Sequence, residues 1–337
     1  MLSRLQRLVH TGRARLSHSD ATKVGFIGLG AMGARQANNL QHEGYSLVVY
    51  DRSIMQLEEF SKRDNVEVAC SPAALAETEG VRVIITMLPA CRQVREVYCD
   101  REKGILSAQG GTRASLLIDC STISPNTSRE LAATVSEARL HPSAQPYPGC
   151  SNGSPAFVDA PVSGGITGAS AATLSFMCGG EKDAVAAATP FLQAMGKRIL
   201  HCGGAGAGHA AKVCNNMALA VQMASIAEAS AVGKRLGLDP KVLAEVFNSS
   251  SSRCWSSEAY HPVPGVMPNV PSSKGHRDGF AIQHMLKDLH LATDAAAHAH
   301  ARVPLTERAL DVYAKVAEVD ETLDFTAIYS LYYDEEL

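Results

Sequence analysis

The chain has 337 residues, 46% of them hydrophobic, and a formal net charge of −3 at neutral pH. That length and apolar content support two domains with buried cores. The charge gives no electrostatic case for a nucleic-acid partner, and no run approaches the ~18 consecutive apolar residues of a transmembrane helix.

Residues 1–21 stand apart from the rest. Arg4, Arg7, Arg13 and Arg15 occur without any acidic residue before Asp20, and Leu2, Leu5 and Leu8 form an apolar face at helical spacing. This arginine-rich, amphipathic pattern reads as a mitochondrial transit segment, which points to the matrix.

The next segment, VGFIGLGAMG from Val24 to Gly33, is an apolar strand running straight into G-x-G-x-x-G. A second apolar run, SLVVYD, ends at Asp51, 18 residues beyond the last glycine. Strand, glycines, helix and spaced acid together form the dinucleotide-binding fingerprint. Gly28 permits the tight turn, Gly30 lets backbone approach a pyrophosphate, and Gly33 lets the helix pack closely. Leu29, Ala31 and Met32 complete the turn, whose helix N-terminus offers N–H groups to phosphates. Asp51 suits a ribose diol and repels a 2′-phosphate, favouring NAD over NADP. Arg52 pulls the other way, since an arginine there is able to pair with that phosphate.

Strand and helix patterns alternate to about residue 203. VEVAC, VRVIITMLP, SLLIDCST, FVDAPVSGG, TLSFMCGG and KRILHCG are the further strands, which predicts a parallel sheet covered on both faces. Between them, HPSAQPYPGCSNGSP (residues 141–155) reads as an inserted surface loop without assigned chemistry. After GGAGAG, helices take over. AAKVCNNMALAVQMASIAEASAVGKRLG runs to Gly237 without proline, is apolar on most sides and is expected to be buried. Asp239-Pro240 opens the following helix as cap and first-turn proline. The expected organisation is a Rossmann-type dinucleotide-binding domain over residues 22–203, followed by an all-helical domain over 204–337 built on that long helix. The helical domain serves substrate binding and oligomerisation.

Ligands of open α/β sheets bind beyond the carboxyl ends of the strands. Leu88 and Pro89 lie there, either lining a cofactor or simply stopping the strand. Ser121 and Thr122 either reach the nicotinamide end or cap the helix at Pro125. Ser163, Gly164 and Gly165 place a hydroxyl and bare backbone at a turn, a concavity suited to a carboxylate. Lys212 and Asn216 are spaced i, i+4 on one helix face. A lysine in so apolar a helix either escapes to solvent or, buried, has a lowered pKa suited to proton exchange with an alcohol. Lys287 and Asp288 read as a solvated pair. The nine cysteines show no C-x-x-C spacing and read as buried free thiols. No metal site is expected.

GFIGLGAMG, IITMLP, DCSTISP, FVDAPVSGG, GHAAKVCNN and MLKDLHLA, in this order, resemble the β-hydroxyacid dehydrogenase family over about residues 22–330. SSSRCWSSEAYHPVPGV, containing Trp255, resembles its 3-hydroxyisobutyrate branch. The resemblance implies NAD-dependent oxidation of 3-hydroxyisobutyrate to methylmalonate semialdehyde, a step of valine breakdown, with Lys212 as the general acid/base. It implies that Asn216 orients substrate, that Ser163, Gly164 and Gly165 hold its carboxylate, and that Phe280 lines the cleft. It also implies cofactor contacts at Leu88, Pro89, Thr122 and Lys287. Gln93 stands where relatives often carry an asparagine that touches the cofactor. The loop at 141–155 has no counterpart in the pattern. Family members form dimers or tetramers, so a homo-oligomer is expected. The alternatives are another short substrate, such as tartronate or succinic semialdehyde, and a non-catalytic binding scaffold. Retention of Lys212 argues against the scaffold.

Overall fold

A computed structural model describes residues 23–150 and 153–333. The transit-like segment therefore lies outside the described residues. The first half of the fold alternates strands β1 (Lys23–Ile27), β2 (Ser46–Tyr50), β3 (Val66–Val68), β4 (Val81–Thr86), β5 (Leu116–Asp119) and β6 (Ala156–Asp159) with helices α1 (Gly33–His42), α2 (Ile54–Ser61), α3 (Pro72–Glu77), α4 (Cys91–Cys99) and α5 (Pro125–Glu137). Their order across the sheet is β3-β2-β1-β4-β5-β6, all parallel. The reversal between β1 and β4 is the switch point at which such sheets open a ligand crevice. Val83, Ile84 and Ile85 of β4 and Leu116, Leu117 and Ile118 of β5 are all fully buried, as strands covered on both faces must be.

The expectation of a wholly parallel sheet fails beyond β6. The chain continues through β7 (Val162–Ser163), α6 (Gly165–Ser170), β8 (Leu174–Gly179), α7 (Lys182–Met195) and β9 (Gly196–Gly203). β8 runs antiparallel to both β6 and β7, and β9 pairs parallel with β8. A six-residue helix such as α6 advances only ~9 Å, too little to carry the chain back along a strand, so β8 returns in the opposite sense. α7 is long enough for a crossover, and β9 is parallel again.

The second half is helical: α8 (Ala207–Arg235), α9 (Pro240–Ser249), α10 (Trp255–Glu258), α11 (Ile282–His298), α12 (Pro304–Asp320) and α13 (Ile328–Tyr333). As expected, Asp239 caps α9, its carboxylate accepting from Lys241 N at 2.8 Å. The helical core gathers Ala220, Met223 and Ala227 of α8 around Met285 and Leu289 of α11 and Tyr313 of α12. The long helix is not buried on most sides. Cys214, Ala218, Gln222, Ser225, Ala229 and Val232 form an exposed stripe along it. Its residues are small enough to leave composition uninformative about which face packs.

One further expectation changes. Cys120 and Cys178 are buried, but Cys70, Cys99, Cys202 and Cys214 are exposed free thiols. The inserted loop packs at the amino ends of the strands, away from the crevice. The Tyr147 ring lies over the Arg82 guanidinium at 4.6 Å and edge-on to Phe191, and Cys150 Sγ donates to the Ser115 carbonyl at 3.1 Å.

Candidate active site

The glycine turn at the end of β1 is built for close approach. Gly28 has φ +97°, and a Cβ there would meet the Met87 carbonyl oxygen at 2.3 Å; one at Gly33 would meet the Gly28 carbonyl oxygen at 1.9 Å. At Gly30 a Cβ would find nothing within 4 Å. Gly28 and Gly33 thus let the chain close on itself, while Gly30 leaves an open backbone surface beside Ala31 and the first turn of α1, into which Met32 leads. A dinucleotide pyrophosphate fits that cradle. Buried Leu29 donates its N–H to Asp51 Oδ2 at 2.6 Å, and Ser53 N donates to Oδ1 at 2.7 Å. Asp51 therefore also pins the turn, a role not foreseen from spacing. The Arg52 side chain is 78% exposed, with only a 3.8 Å approach to Glu96. Gln93, on α4, keeps a buried Oε1 with no hydrogen-bond partner among the described residues, an acceptor suited to a cofactor donor group.

Leu88, Pro89, Ser121 and Thr122 follow β4 and β5. Ser121 is fully buried and serves neither role open to it from sequence. Its Oγ donates to Asp119 Oδ1 at 2.6 Å and accepts from Leu88 N at 2.9 Å. The cap of α5 is Ser124, whose Oγ accepts from Asn126 N. Gly164 (φ +133°) and Gly165 (φ +61°) turn the chain after Ser163, and a Cβ at Gly165 would meet nothing within 4 Å. Asn39 of α1 donates to the Ala169 carbonyl at 2.7 Å, which docks α6, and with it this turn, on the helix that follows the glycine turn.

Lys212 and Asn216 lie on the buried face of α8, at 8% and 3% exposure. Asn216 Nδ2 donates to Asp288 Oδ2 at 2.6 Å. Asp288 is buried too and pairs through Oδ1 with Lys287 Nζ at 3.3 Å. This corrects the reading of Lys287 and Asp288 as a solvated pair, since i, i+1 neighbours on a helix face different surroundings. Lys287 also donates to the carbonyl oxygens of Thr122 at 3.0 Å and Pro89 at 3.3 Å. Burial pushes the Lys212 ammonium below the usual lysine range; Asp288 opposes that shift and Lys287 adds to it. Phe280, before α11, stands edge-on to Phe325 at 6.0 Å, and its N–H donates to buried Asp324 at 2.6 Å.

Beneath these residues is a buried polar network that sequence reasoning missed. Thr86 Oγ1 donates to Asp119 Oδ1 at 2.7 Å and stands 3.1 Å from the Tyr98 hydroxyl. Asp159, at the end of β6, accepts from Gly206 N at 2.7 Å and His209 N at 3.0 Å. It caps α8 from a distant strand and places negative charge at the positive end of a 29-residue helix. Burial pushes the Asp159 carboxyl up, but the His209 side chain and these N–H groups outweigh it and hold it below the usual range. A Cβ at Gly179 would lie 2.4 Å from Asp159 Oδ1, and one at Gly208 would lie 2.8 Å from Oδ2. Gly179 of β8 and Gly208, the last glycine of GGAGAG, make room for that carboxylate.

Two family models cover almost the whole described chain. Residues 23–204 match the NAD-binding domain of 6-phosphogluconate dehydrogenase, and residues 206–332 match the NAD-binding domain of NADP-dependent 3-hydroxyisobutyrate dehydrogenase. The chain belongs to the β-hydroxyacid dehydrogenase family. A probable mitochondrial 3-hydroxyisobutyrate dehydrogenase of Arabidopsis thaliana is 44% identical over 92% of this chain and 87% of its own length. The mitochondrial 3-hydroxyisobutyrate dehydrogenase of Mus musculus is 43% identical over 95% and 90%. A solved structure of Mycobacterium tuberculosis 3-hydroxyisobutyrate dehydrogenase with L-serine superposes with a TM-score of 0.80 at 40% identity, covering 92% of this chain and 99% of that one. As in its family, this chain's dehydrogenase fold takes a nicotinamide dinucleotide.

Proposed function

We propose that the chain oxidises (S)-3-hydroxyisobutyrate to methylmalonate semialdehyde with NAD, a step of valine breakdown. The observation that carries this reading is the buried Lys212. Its helix face also presents Asn216, which is joined through Asp288 and Lys287 to the Thr122 and Pro89 carbonyls beyond β5 and β4.

The substrate carboxylate docks on the Ser163-Gly164-Gly165 turn, whose bare backbone offers N–H groups to an anion. Asn216, oriented by Asp288 and by Asn215 Nδ2, which donates to its Oδ1, turns its carboxamide to the substrate. Lys212, with its pKa lowered by burial, is neutral over a wider pH range than a free lysine and takes the hydroxyl proton. Phe280 closes the apolar side of the cleft around the methyl group. When bound, the nicotinamide ring supplies the acceptor for the hydride leaving C3. Asp51 favours the unphosphorylated ribose of NAD, and Arg52, exposed and loosely held, does not commit the site to a 2′-phosphate.

A second reading is favoured by one observation. The M. tuberculosis relative is seen with L-serine, which shares the carboxylate and hydroxymethyl groups of 3-hydroxyisobutyrate. In that reading the site accepts short 3-hydroxy acids broadly. The Arabidopsis and mouse relatives are named mitochondrial. Together with the arginine-rich residues 1–21, this supports matrix import. The exposed stripe of α8, with Leu236, Val242 and Val246 exposed nearby, supports a homo-oligomer built on the helical domain.

Initial rates with (S)-3-hydroxyisobutyrate, L-serine, glycerate and 4-hydroxybutyrate, each with NAD and NADP, test the proposal. A kcat/KM highest for 3-hydroxyisobutyrate with NAD is expected. Preference for another acid replaces the substrate assignment, preference for NADP overturns the Asp51 argument, and no turnover of any acid overturns the enzymatic reading.

A further inference from the structure

His209, one turn before Lys212 on α8, is fully buried and has no part in the chemistry above. Its Nε2 lies 3.0 Å from the carbonyl oxygen of Ser121. A carbonyl only accepts, so Nε2 carries a proton and donates it. Its Nδ1 lies 3.2 Å from Asp159 Oδ2. That carboxylate also accepts from Gly206 N and His209 N, which fixes it at the start of α8. A second buried carboxylate stands on the other side: Asp119 Oδ2 is 3.8 Å from Nε2 and has no hydrogen-bond partner among the described residues. Both ring nitrogens thus meet oxygen atoms from two different strands, and the ring is held between them.

The same ring joins three parts of the site. Ser121 gives its carbonyl to His209 and accepts the Leu88 N–H through its Oγ, and the adjacent Thr122 gives its carbonyl to Lys287. We propose that His209 is a positioning residue for hydroxy-acid oxidation. Through its two ring nitrogens it ties the first turn of α8 to the ends of β5 and β6, and so fixes where Lys212 meets the substrate. The proposal rests on the reading that Lys212 takes the substrate proton. A displacement of about 1 Å at such a group costs roughly 100-fold in rate, so a tie of this kind acts on kcat without touching substrate.

The test uses the full chain, His209→Ala and His209→Gln. Glutamine keeps an N–H able to reach the Ser121 carbonyl but lacks the second ring nitrogen that meets Asp159. Expected for the wild type is a proton on Nε2 in the ¹⁵N spectrum of His209, assigned by its loss in the variants. His209→Ala is expected to lose about 100-fold in kcat, with NADH affinity by fluorescence within threefold and with faster deuterium uptake confined to the start of α8. His209→Gln is expected to recover about tenfold of that loss. A soluble His209→Ala protein with kcat within threefold of wild type overturns the proposal, as does an Nε2 without a proton. If the alanine variant is insoluble, the glutamine variant decides: about tenfold lower kcat at unchanged NADH affinity supports the tie, and unchanged kcat overturns it. If the wild type oxidises no hydroxy acid, the functional reading fails separately. The Nε2 proton and the deuterium uptake then still decide whether the tie exists.

Discussion

Lys287, on a helix of the second half, donates to the carbonyl oxygen of Thr122 at 3.0 Å, just beyond strand β5 of the first half. That single ammonium also reaches the Pro89 carbonyl and Asp288. The Asp288 carboxylate in turn fixes Asn216 beside Lys212. The proton-transfer group is thus held by contacts that run from the sheet ends through one basic side chain to the helical face.

Lys212→Ala is expected to lower kcat for hydroxy-acid oxidation by about 10²–10⁴-fold, the range supplied by a positioned acid/base. NADH affinity should change little, because the glycine turn and the ends of β4 and β5 are untouched. Arginine is no substitute, since it does not give up its proton in this pH range. Steady-state rates and NADH fluorescence titration check this together, and a Lys212→Ala protein with wild-type kcat contradicts the proposed role.

The pH profile should respond in opposite senses to the two neighbours of Lys212. Oxidation requires the neutral amine, so kcat rises with pH through the Lys212 pKa, which burial lowers. Asp288 raises that pKa, and Asp288→Asn should move the rising limb to lower pH. Lys287 lowers it, and Lys287→Met should move the limb to higher pH. Profiles of kcat for the three proteins measure the order directly.

Asp51→Ala should affect cofactor choice and turn geometry at once. The substitution removes the acceptor for Leu29 N as well as the carboxylate that opposes a 2′-phosphate. KM for NAD should rise, and the ratio of NADP to NAD activity should rise with it. An unchanged ratio would show that Asp51 acts on the turn alone.

Acid should weaken the fold through His261. Burial pushes its pKa down to about 4, while Nδ1 accepts from Val263 N at 3.2 Å. Between the ordinary histidine value and that depressed one, the unfolded chain binds a proton that the folded chain does not. Stability contributed by the neutral ring is therefore complete above pH ~6.5 and is lost as pH falls toward 4, by roughly 3 kcal/mol at most. Urea midpoints between pH 7 and 4.5 should fall more steeply for the wild type than for His261→Asn.

Local chemistry was legible where a residue type is forced by its backbone surroundings. Gly28 and Gly33 must be glycine because a carbonyl oxygen occupies the place of the Cβ. Lys212 was conspicuous because a lone cation in an apolar helix needs a reason, and Asn216 followed from a one-turn spacing. The strands β1 to β6 were readable as apolar runs, since strands covered on both faces lack a polar side. The antiparallel β8 was not readable, because strand direction depends on how far the six residues of α6 can carry the chain.

The sequence by itself determined the glycine turn, the order of strands and helices, the position of Lys212 and the family. Each is written in a short stretch whose physics is local. Tertiary structure alone decided what surrounds them. Asp119, Ser121, Asp159 and His209 come from segments up to 90 positions apart, and no periodicity marks residues that meet only because β5, β6 and α8 end at one place. Asp288 reads as an ordinary solvated carboxylate until packing buries it against Asn216. Burial and charge neighbours set what a titratable group does, and both belong to the folded chain.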